Sequence, residues 1–223
     1  MNSTDTTKGN SGPSVLVRSL VVGPLATNCH ILACAETRSA LVVDPGFDAD
    51  RILQVLDDMD VEVELILLTH GHVDHVAAVP RVAEATGAKV AIHDADRAIL
   101  EGAPQMAAMF GLGMASVPDP EVSLVEGKPI SVGTLSLDVI HTPGHTAGSL
   151  CFHLAHERIL VAGDTLFYRG VGRTDLPGGS WGDLVASIQN KLYRLDGATQ
   201  VLTGHGPATV LREEMLTNPF VRA

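Results

Sequence analysis

Thr69-His70-Gly71-His72-Val73-Asp74-His75 places three imidazoles and one carboxylate within six consecutive residues. The apolar run Leu65-Ile66-Leu67-Leu68 precedes it and a helix-like run over 76–86 follows. The stretch therefore predicts a strand, a tight turn and a helix start. A turn at the end of a buried strand is where α/β proteins commonly carry their sites. Each buried imidazole needs partners for two nitrogens, and a metal ion is the simplest partner that several can share. His70 and His72 alternate, so in an extended segment they point the same way. Asp74 and His75 fall where the helix begins and face a second position. The pattern predicts two adjacent ions.

The flanks predict interleaved strands and helices. Upstream, Val15–Val22, 29–33 and 40–43 read as a meander closed by the turn Asp44-Pro45-Gly46. Asp44 either caps that turn or supports the site from behind. Residues 48–60 read as a helix, with Ile52, Val55, Leu56 and Met59 at i, i+3, i+4 and i+7 and Asp48 as its N-cap. The helix over 76–86 carries Val76, Val79, Val82 and Ala83 on one stripe and stops at Gly87. A strand over 89–92 and a short helix over 95–100 follow. Segment 102–117 holds Met106, Met109, Phe110 and Met114 among Gly, Ala and Pro. It reads either as a loosely packed helix pair or flap, or as an adaptable apolar wall over a substrate, since Met suits irregular contacts.

The second half repeats this plan. Strands are expected at 130–132, 135–140, 150–154 and 158–162. A capping box, Ser180-Trp181-Gly182-Asp183, opens a helix with Leu184, Ile188, Leu192 and Leu195 inward. A strand over 200–202 and a final helix to about Thr217, closed by Asn218-Pro219, complete the chain. In each half a strand ends in a His-bearing turn. Two sheets with outer helices, packed as one domain over 14–223, is the simplest arrangement.

Composition excludes several function classes. A chain of 223 residues with 45% hydrophobic and 18% charged residues can bury a sizeable core. It has no run of 18 apolar residues, so no membrane span is expected. Residues 1–13 are Ser/Thr/Gly/Asn-rich and lack the apolar core of a secretory signal. They are expected to form a disordered tail, and a cytoplasmic location is the default. Cys29, Cys34 and Cys151 are odd in number and form no CxxC, which fits reduced thiols. A formal charge of −11 argues against nucleic-acid binding, which wants a basic face. An anionic substrate stays compatible with that charge, because bound metals dominate a local field.

Three further strand exits carry metal-type groups: His145 in H-T-P-G-H-T-A-G-S, Asp164 in A-G-D-T-L-F and His205 in T-G-H-G-P. Each lies beside glycine, which lets backbones approach closely. With the first motif they complete a ligand set for two ions with no spare members. In order, T-H-G-H-V-D-H and these three motifs resemble the metallo-β-lactamase superfamily over nearly all of 15–220. G-V-G-R-T-D-L-P-G-G at 170–179 and the closing N-P-F at 218–220 are most similar to its glyoxalase II-like branch, the hydroxyacylglutathione hydrolases, in the short bacterial form.

The resemblance implies an α/β (α+β) chain folded as a four-layer αββα sandwich with metals at one edge of the sheets. Carried over by motif, His70, His72 and His145 hold one ion, Asp74, His75 and His205 hold the other, and Asp164 bridges both. His141 is then not a ligand, and His30, His93, His153 and His156 match no ligand position. Two divalent ions with two carboxylates and a bridging hydroxide leave a site of about +1. Zinc is the first expectation, with iron or manganese equally compatible with nitrogen and oxygen ligands. The implied reaction is attack of a metal-bound hydroxide, oriented by Asp74, on a thioester such as S-D-lactoylglutathione, giving a hydroxy acid and a free thiol.

Arg173 suggests a substrate contact, because guanidinium suits carboxylates, or else a loop pair with Asp175; Thr174 is a weaker candidate beside it. The rival reading is a mononuclear-iron persulfide dioxygenase, which would use only the equivalents of His70, His145 and Asp164. A secreted β-lactamase and an RNA-processing nuclease fit less well. Longer glyoxalase II enzymes add a helical domain bearing glutathione contacts after the last metal His, whereas 18 residues follow His205 here. The expected partner is therefore a small-molecule thioester of glutathione or of another thiol.

Overall fold

The computed structural model describes residues 14–223. The expected N-terminal tail over 1–13 lies outside the described residues. The chain runs β1 (Val15–Val22), β2 (Thr27–Cys34), β3 (Ser39–Val43), α1 (Ala49–Met59), β4 (Glu62–Leu67), α2 (Val73–Val76), α3 (Val79–Thr86), β5 (Lys89–Ile92), α4 (Arg97–Met109) and β6 (Val122–Ser123). It continues with β7 (Ile130–Val132), β8 (Leu135–His141), β9 (Leu150–Leu154), β10 (Ile159–Gly163), β11 (Leu166–Phe167), β12 (Gly170–Val171), α5 (Trp181–Asn190), β13 (Gln200–Thr203), β14 (Thr209–Val210) and α6 (Leu211–Thr217).

Two six-stranded sheets result, in the orders β1-β2-β3-β4-β5-β6 and β14-β13-β10-β9-β8-β7. Each begins as an antiparallel meander and then adds parallel strands through helical crossovers: β3 with β4, β4 with β5, and β10 with β13. The repeated plan expected from the two His-bearing turns is therefore present in the topology.

Alternation along the strands divides the core into layers. Leu32, Leu41 and Leu67 of the first sheet pack against Leu137, Phe152 and Val161 of the second. Their neighbours Ile31, Val42 and Ile66 turn outward onto Ile52 of α1 and Val79 and Val82 of α3. On the far side, Cys151, Leu160 and Val201 meet Leu184 and Ile188 of α5. The layers are helix, sheet, sheet, helix. Central strands buried on both faces read as continuous apolar runs, and β2 is buried at every position. Among the described residues no helix is long and apolar enough to cross a membrane.

Several local expectations are corrected. Asp48 does not cap α1 with its side chain; it sits at φ 55°, and its carboxylate accepts instead from the Gly23 amide at 3.0 Å. The expected helix over 76–86 is two helices, because Pro80 occupies the first turn of α3, where its missing N–H costs nothing. The expected short helix and the first half of the Met-rich segment share one helix, α4, which continues through Gly102 and Pro104 to Met109, while 110–117 follow it without regular structure. Of the capping box, the Ser180 half is present, its hydroxyl accepting from Asp183 N at 3.3 Å. The helix it opens ends at Asn190, and a single 3₁₀ turn over Leu192–Arg194 carries Leu192. The two-residue strands β6, β11, β12 and β14 are too short to leave a periodic signal.

The closing Asn218-Pro219-Phe220 is a structural lock. Asn218 is fully buried. Its amide donates to Gly170 O (3.1 Å) and Glu214 Oε2 (2.9 Å), while its Oδ1 accepts from the amides of Phe220 and Val221. Glu214, also buried, takes Thr209 Oγ1 at 2.6 Å and Arg169 N at 2.9 Å. Asn218→Ala strips a partner from four groups, the Glu214 carboxylate and Val221 amide in buried contacts and the Gly170 carbonyl and Phe220 amide in part-buried ones. We expect about 2–4 kcal/mol of lost stability, read as a lowered midpoint in denaturant titration with an unchanged slope.

Candidate metal centre

The C-terminal ends of β4, β10 and β13 lie at one edge of the two sheets and carry His70–His75, Asp164 and His205 respectively; the β8–β9 loop adds His145. This is where open α/β sheets place ligands. A bulge between Val161 and Gly163 breaks the pairing of β10 with β13 one residue before Asp164, a device that re-aims a side chain. Gly163 sits at φ 49° against the Thr69 side chain, a conformation that favours glycine. A Cβ on Gly204 would collide with the Asp164 carboxylate, so glycine there lets the His205 turn close over Asp164.

All seven side chains named from the motifs converge. His70, His72 and His145 stand with ring centroids 4.7–4.8 Å apart, and His72 Nδ1 faces His145 Nε2 at 2.9 Å. Asp74 Oδ2 lies 3.4 Å from His75 Nε2 and 3.2 Å from His205 Nε2. Between the groups, Asp164 presents Oδ1 to His75 Nε2 (3.4 Å) and Oδ2 to His145 and His205 Nε2 (both 3.6 Å).

The outer ring nitrogens are engaged. His75 Nδ1 meets Asp44 Oδ2 at 2.9 Å, His145 Nδ1 donates to Arg173 O at 2.7 Å, and His205 Nδ1 donates to Leu25 O at 3.1 Å. His70 Nδ1 lies 3.1 Å from the Thr69 hydroxyl, which donates to Asp44. These bonds leave the Nε2 lone pairs pointing inward.

Three of the inward atoms lack a protein partner. His70 Nε2, His75 Nε2 and Asp164 Oδ1 are buried without a hydrogen-bond partner. Buried polar atoms are rarely left so, and an outer N–H held by a carboxylate or carbonyl is the habit of metal-bound histidine. A donor set of imidazoles and carboxylates in two adjacent groups therefore fits divalent cations.

The titration behaviour follows from the same crowding. Burial, and then the neighbouring His145, lowers His72 to about 4. Burial followed by four nearby imidazoles, His75 foremost, holds His70 well below its ordinary value. Burial works to raise Asp164 and Asp74, but the neighbouring imidazoles, His75 foremost, hold both below the usual carboxylate range. Both carboxylates are ionised at neutral pH.

Two buried carboxylates stand behind the site. Asp44, at φ 51° and 1% exposed, accepts from Thr69 N, Thr69 Oγ1 and His75 Nδ1. Its carboxylate braces the His-rich turn rather than capping its own. Asp96, absent from the sequence reading, is fully buried and accepts from Gly71 N (3.0 Å), Thr146 Oγ1 (2.8 Å) and Gly148 N (2.7 Å). It joins the 70–75 turn to the 141–149 turn. The one local signal was an acidic Asp94-Ala95-Asp96 run after a strand exit.

The other histidines lie outside this cluster. His141 Nε2 contacts Ala147 O at 2.8 Å and its ring stacks on His93 at 4.3 Å. His30 bridges Ser19 and Thr203 O, and His153 faces Asp138. A cavity of about 710 Å³ opens onto the cluster, with His72, Asp74, His145, Asp164 and His205 in its lining. Arg173 lines it, but its guanidinium is paired with Asp175 at 2.8 and 2.7 Å. Thr174 is not among the lining residues.

Comparison with known proteins agrees with this architecture. The family profile described as the Metallo-beta-lactamase superfamily matches residues 22–205. Hydroxyacylglutathione hydrolase GloC of Haemophilus influenzae is 33% identical over 199 residues, covering 88% of this chain and 93% of that protein. The crystal structure of BLEG-1, a B3 metallo-beta-lactamase, superposes with a TM-score of 0.87 at 35% identity, covering 93% of this chain and 100% of that one. TTHA1623 in a di-iron-bound form gives 0.84 at 36% identity, covering 92% and 100%.

Proposed function

Because the chain belongs to the metallo-beta-lactamase superfamily of metallo-hydrolases, we propose that it hydrolyses a thioester with two divalent ions held by His70, His72, Asp74, His75, His145, Asp164 and His205. The observation that carries the reading is the convergence of all seven side chains with three buried donor atoms left without protein partners. The GloC relative supplies the thioester class. Zinc and iron both suit these donors, and the di-iron neighbour makes iron as strong a candidate as zinc.

Bound ions would supply an acidified water and an electrophilic contact for the substrate carbonyl. The rest falls to the chain. Asp74, ionised and fixed by a 3.1 Å hydrogen bond from Thr27 Oγ1, accepts a hydrogen bond from the attacking water and orients it. Asp164 keeps its charge between the two groups and holds the surrounding imidazoles in register. The apolar walls above limit competing water. Water adds to the thioester carbon, the C–S bond breaks, and the thiol leaves with a proton.

The rival dioxygenase reading needs only His70, His145 and Asp164. It leaves the grouping of Asp74, His75 and His205 around a second point without a purpose. Buried, unpaired Cys29, Cys34 and Cys151 suit the reducing cytoplasm we assign to it.

The test is metal analysis of purified protein beside hydrolysis of S-D-lactoylglutathione and other thioesters, oxidation of glutathione persulfide, and β-lactam hydrolysis. Two ions per chain with thioester turnover are expected. One iron with oxygen consumption would replace the reading by the dioxygenase, and β-lactam turnover alone by a lactamase. Chelation should also lower Tm by roughly 10 °C, because ions that bind only the folded state stabilise it by several kcal/mol when well above their Kd.

A further inference from the structure

Resting on the thioester reading, we propose that the substrate carries an extended apolar substituent, seated along α4, rather than the charged arms of glutathione. Two independent features of the cavity point there.

The first is the wall. Ile99 and Met106 line the cavity from α4, with Phe110 at its C-terminal end and Phe167 and Leu176 also in the lining. A helix lying over a core presents one apolar stripe and a polar outer face. The core stripe of α4 is Leu100, Ala103 and Ala107, all nearly or fully buried. The adjoining face is apolar as well, and it faces the cavity. Met106 is 46% exposed and Phe110 68%, and Leu25 at the same mouth is 58% exposed. Large apolar side chains grouped around one opening mark a binding surface. Between Ile99 and Met106, Gly102 has open space where a side chain would stand, which leaves a trough along the helix leading to the seven polar residues.

The second feature is charge. A glutathione thioester brings two carboxylates and an ammonium, and its carboxylates call for cationic partners. Among the described lining residues, Arg173 is the sole Lys or Arg, and Asp175 occupies its guanidinium. The pair is neutral and offers no free cation. An uncharged chain in the trough needs none, and each methylene removed from water favours binding by up to about fourfold.

The experiment uses the metal-loaded protein and two ladders of synthetic thioesters. One lengthens the acyl chain on a small neutral thiol, from acetyl to octanoyl; the other lengthens an alkyl thiol under a constant acetyl group. S-D-lactoylglutathione is measured beside them. We expect kcat/KM to rise roughly two- to fourfold per methylene on one ladder, which also says which side of the thioester lies on α4. In the double variant Met106→Asp, Phe110→Ser the long-to-short ratio should fall at least about tenfold; both side chains are part-exposed, and Tm checks that the fold holds. Binding of uncleavable S-alkyl thioethers to the metal-free protein, by calorimetry, should tighten with length.

A flat response on both ladders, with S-D-lactoylglutathione the best substrate, overturns the inference and leaves the hydrolase. Absence of any thioester turnover together with length-dependent thioether binding overturns the hydrolase and keeps the apolar ligand. Absence of both overturns both.

Discussion

Asp164→Ala is expected to bring metal content below two per chain and to reduce thioester kcat/KM by at least about 1000-fold, the several kcal/mol that such ions contribute to a transition state. Among the described residues, Asp164 is the carboxylate within salt-bridge distance of histidines from both groups: His145 of one, and His75 and His205 of the other. Alanine removes an anionic donor from each. It also takes from His75 the carboxylate that, against the effect of burial, does most to raise its pKa. Elemental analysis and steady-state kinetics on the same preparation check the expectation. Two ions retained, with activity within tenfold of the parent, would remove Asp164 from the bridging position.

The second large effect is expected at a residue that touches no ion. Asp96→Ala leaves two backbone amides and one hydroxyl without their acceptor in a buried place. At about 1–3 kcal/mol for each unsatisfied group, the loss is roughly 3–5 kcal/mol after local relaxation, or about 10 °C in Tm. Gly71 and Gly148 both pack directly against Asp96, so the turns bearing His70 and His72 and bearing His145 lose their common post. Metal affinity should weaken by about 10–100-fold, as it does when the partners behind a metal ligand are removed. Asp96→Asn keeps the volume but turns an NH₂ toward a backbone donor, and should fall between parent and alanine. Thermal unfolding with and without added metal separates the two effects. A Tm within 2 °C of the parent in both variants would show that the two turns hold their places without it.

What the sequence made legible is the part of the chain governed by local rules. The strands β1 to β5 and β7 to β10 carry apolar runs that only a sheet interior uses, and the His-rich turn announces itself by density. The four-layer packing followed from the motif resemblance and from the interleaved order of strands and helices, whereas the division of Ile31 and Leu32 between two cores appears only in the fold. Long-range geometry was hidden. Nothing local separates Asp96 from the exposed Asp94 two residues earlier; its role exists only once Gly71 and Gly148 arrive from elsewhere. Asp44 was readable as capping or bracing, and its carboxylate braces, because Thr69 and His75 of the neighbouring turn take its oxygens. Asp48 has the composition of a cap, but tertiary contact with Gly23 takes its side chain away. Helix α4 runs through a proline and a glycine that local propensity would treat as breaks. Its reward is a second apolar face over the cavity.

The order in which the strand exits occur along the chain has a consequence for how the protein is made. A ribosome delivers His70, His72, Asp74 and His75 first, then His145 and Asp164, and His205 last. The turn that carries His205 is pinned to the opposite end of the chain, where Asn28 N donates to Gly204 O at 2.7 Å and the Asn28 amide reaches Thr203 O and Gly206 O. The nascent protein therefore spends most of its synthesis with a cluster of imidazoles and no closing partner. On the two-ion reading, the group of Asp74, His75 and His205 is complete only once β13 has docked and Asn28 joins the N-terminal and C-terminal segments.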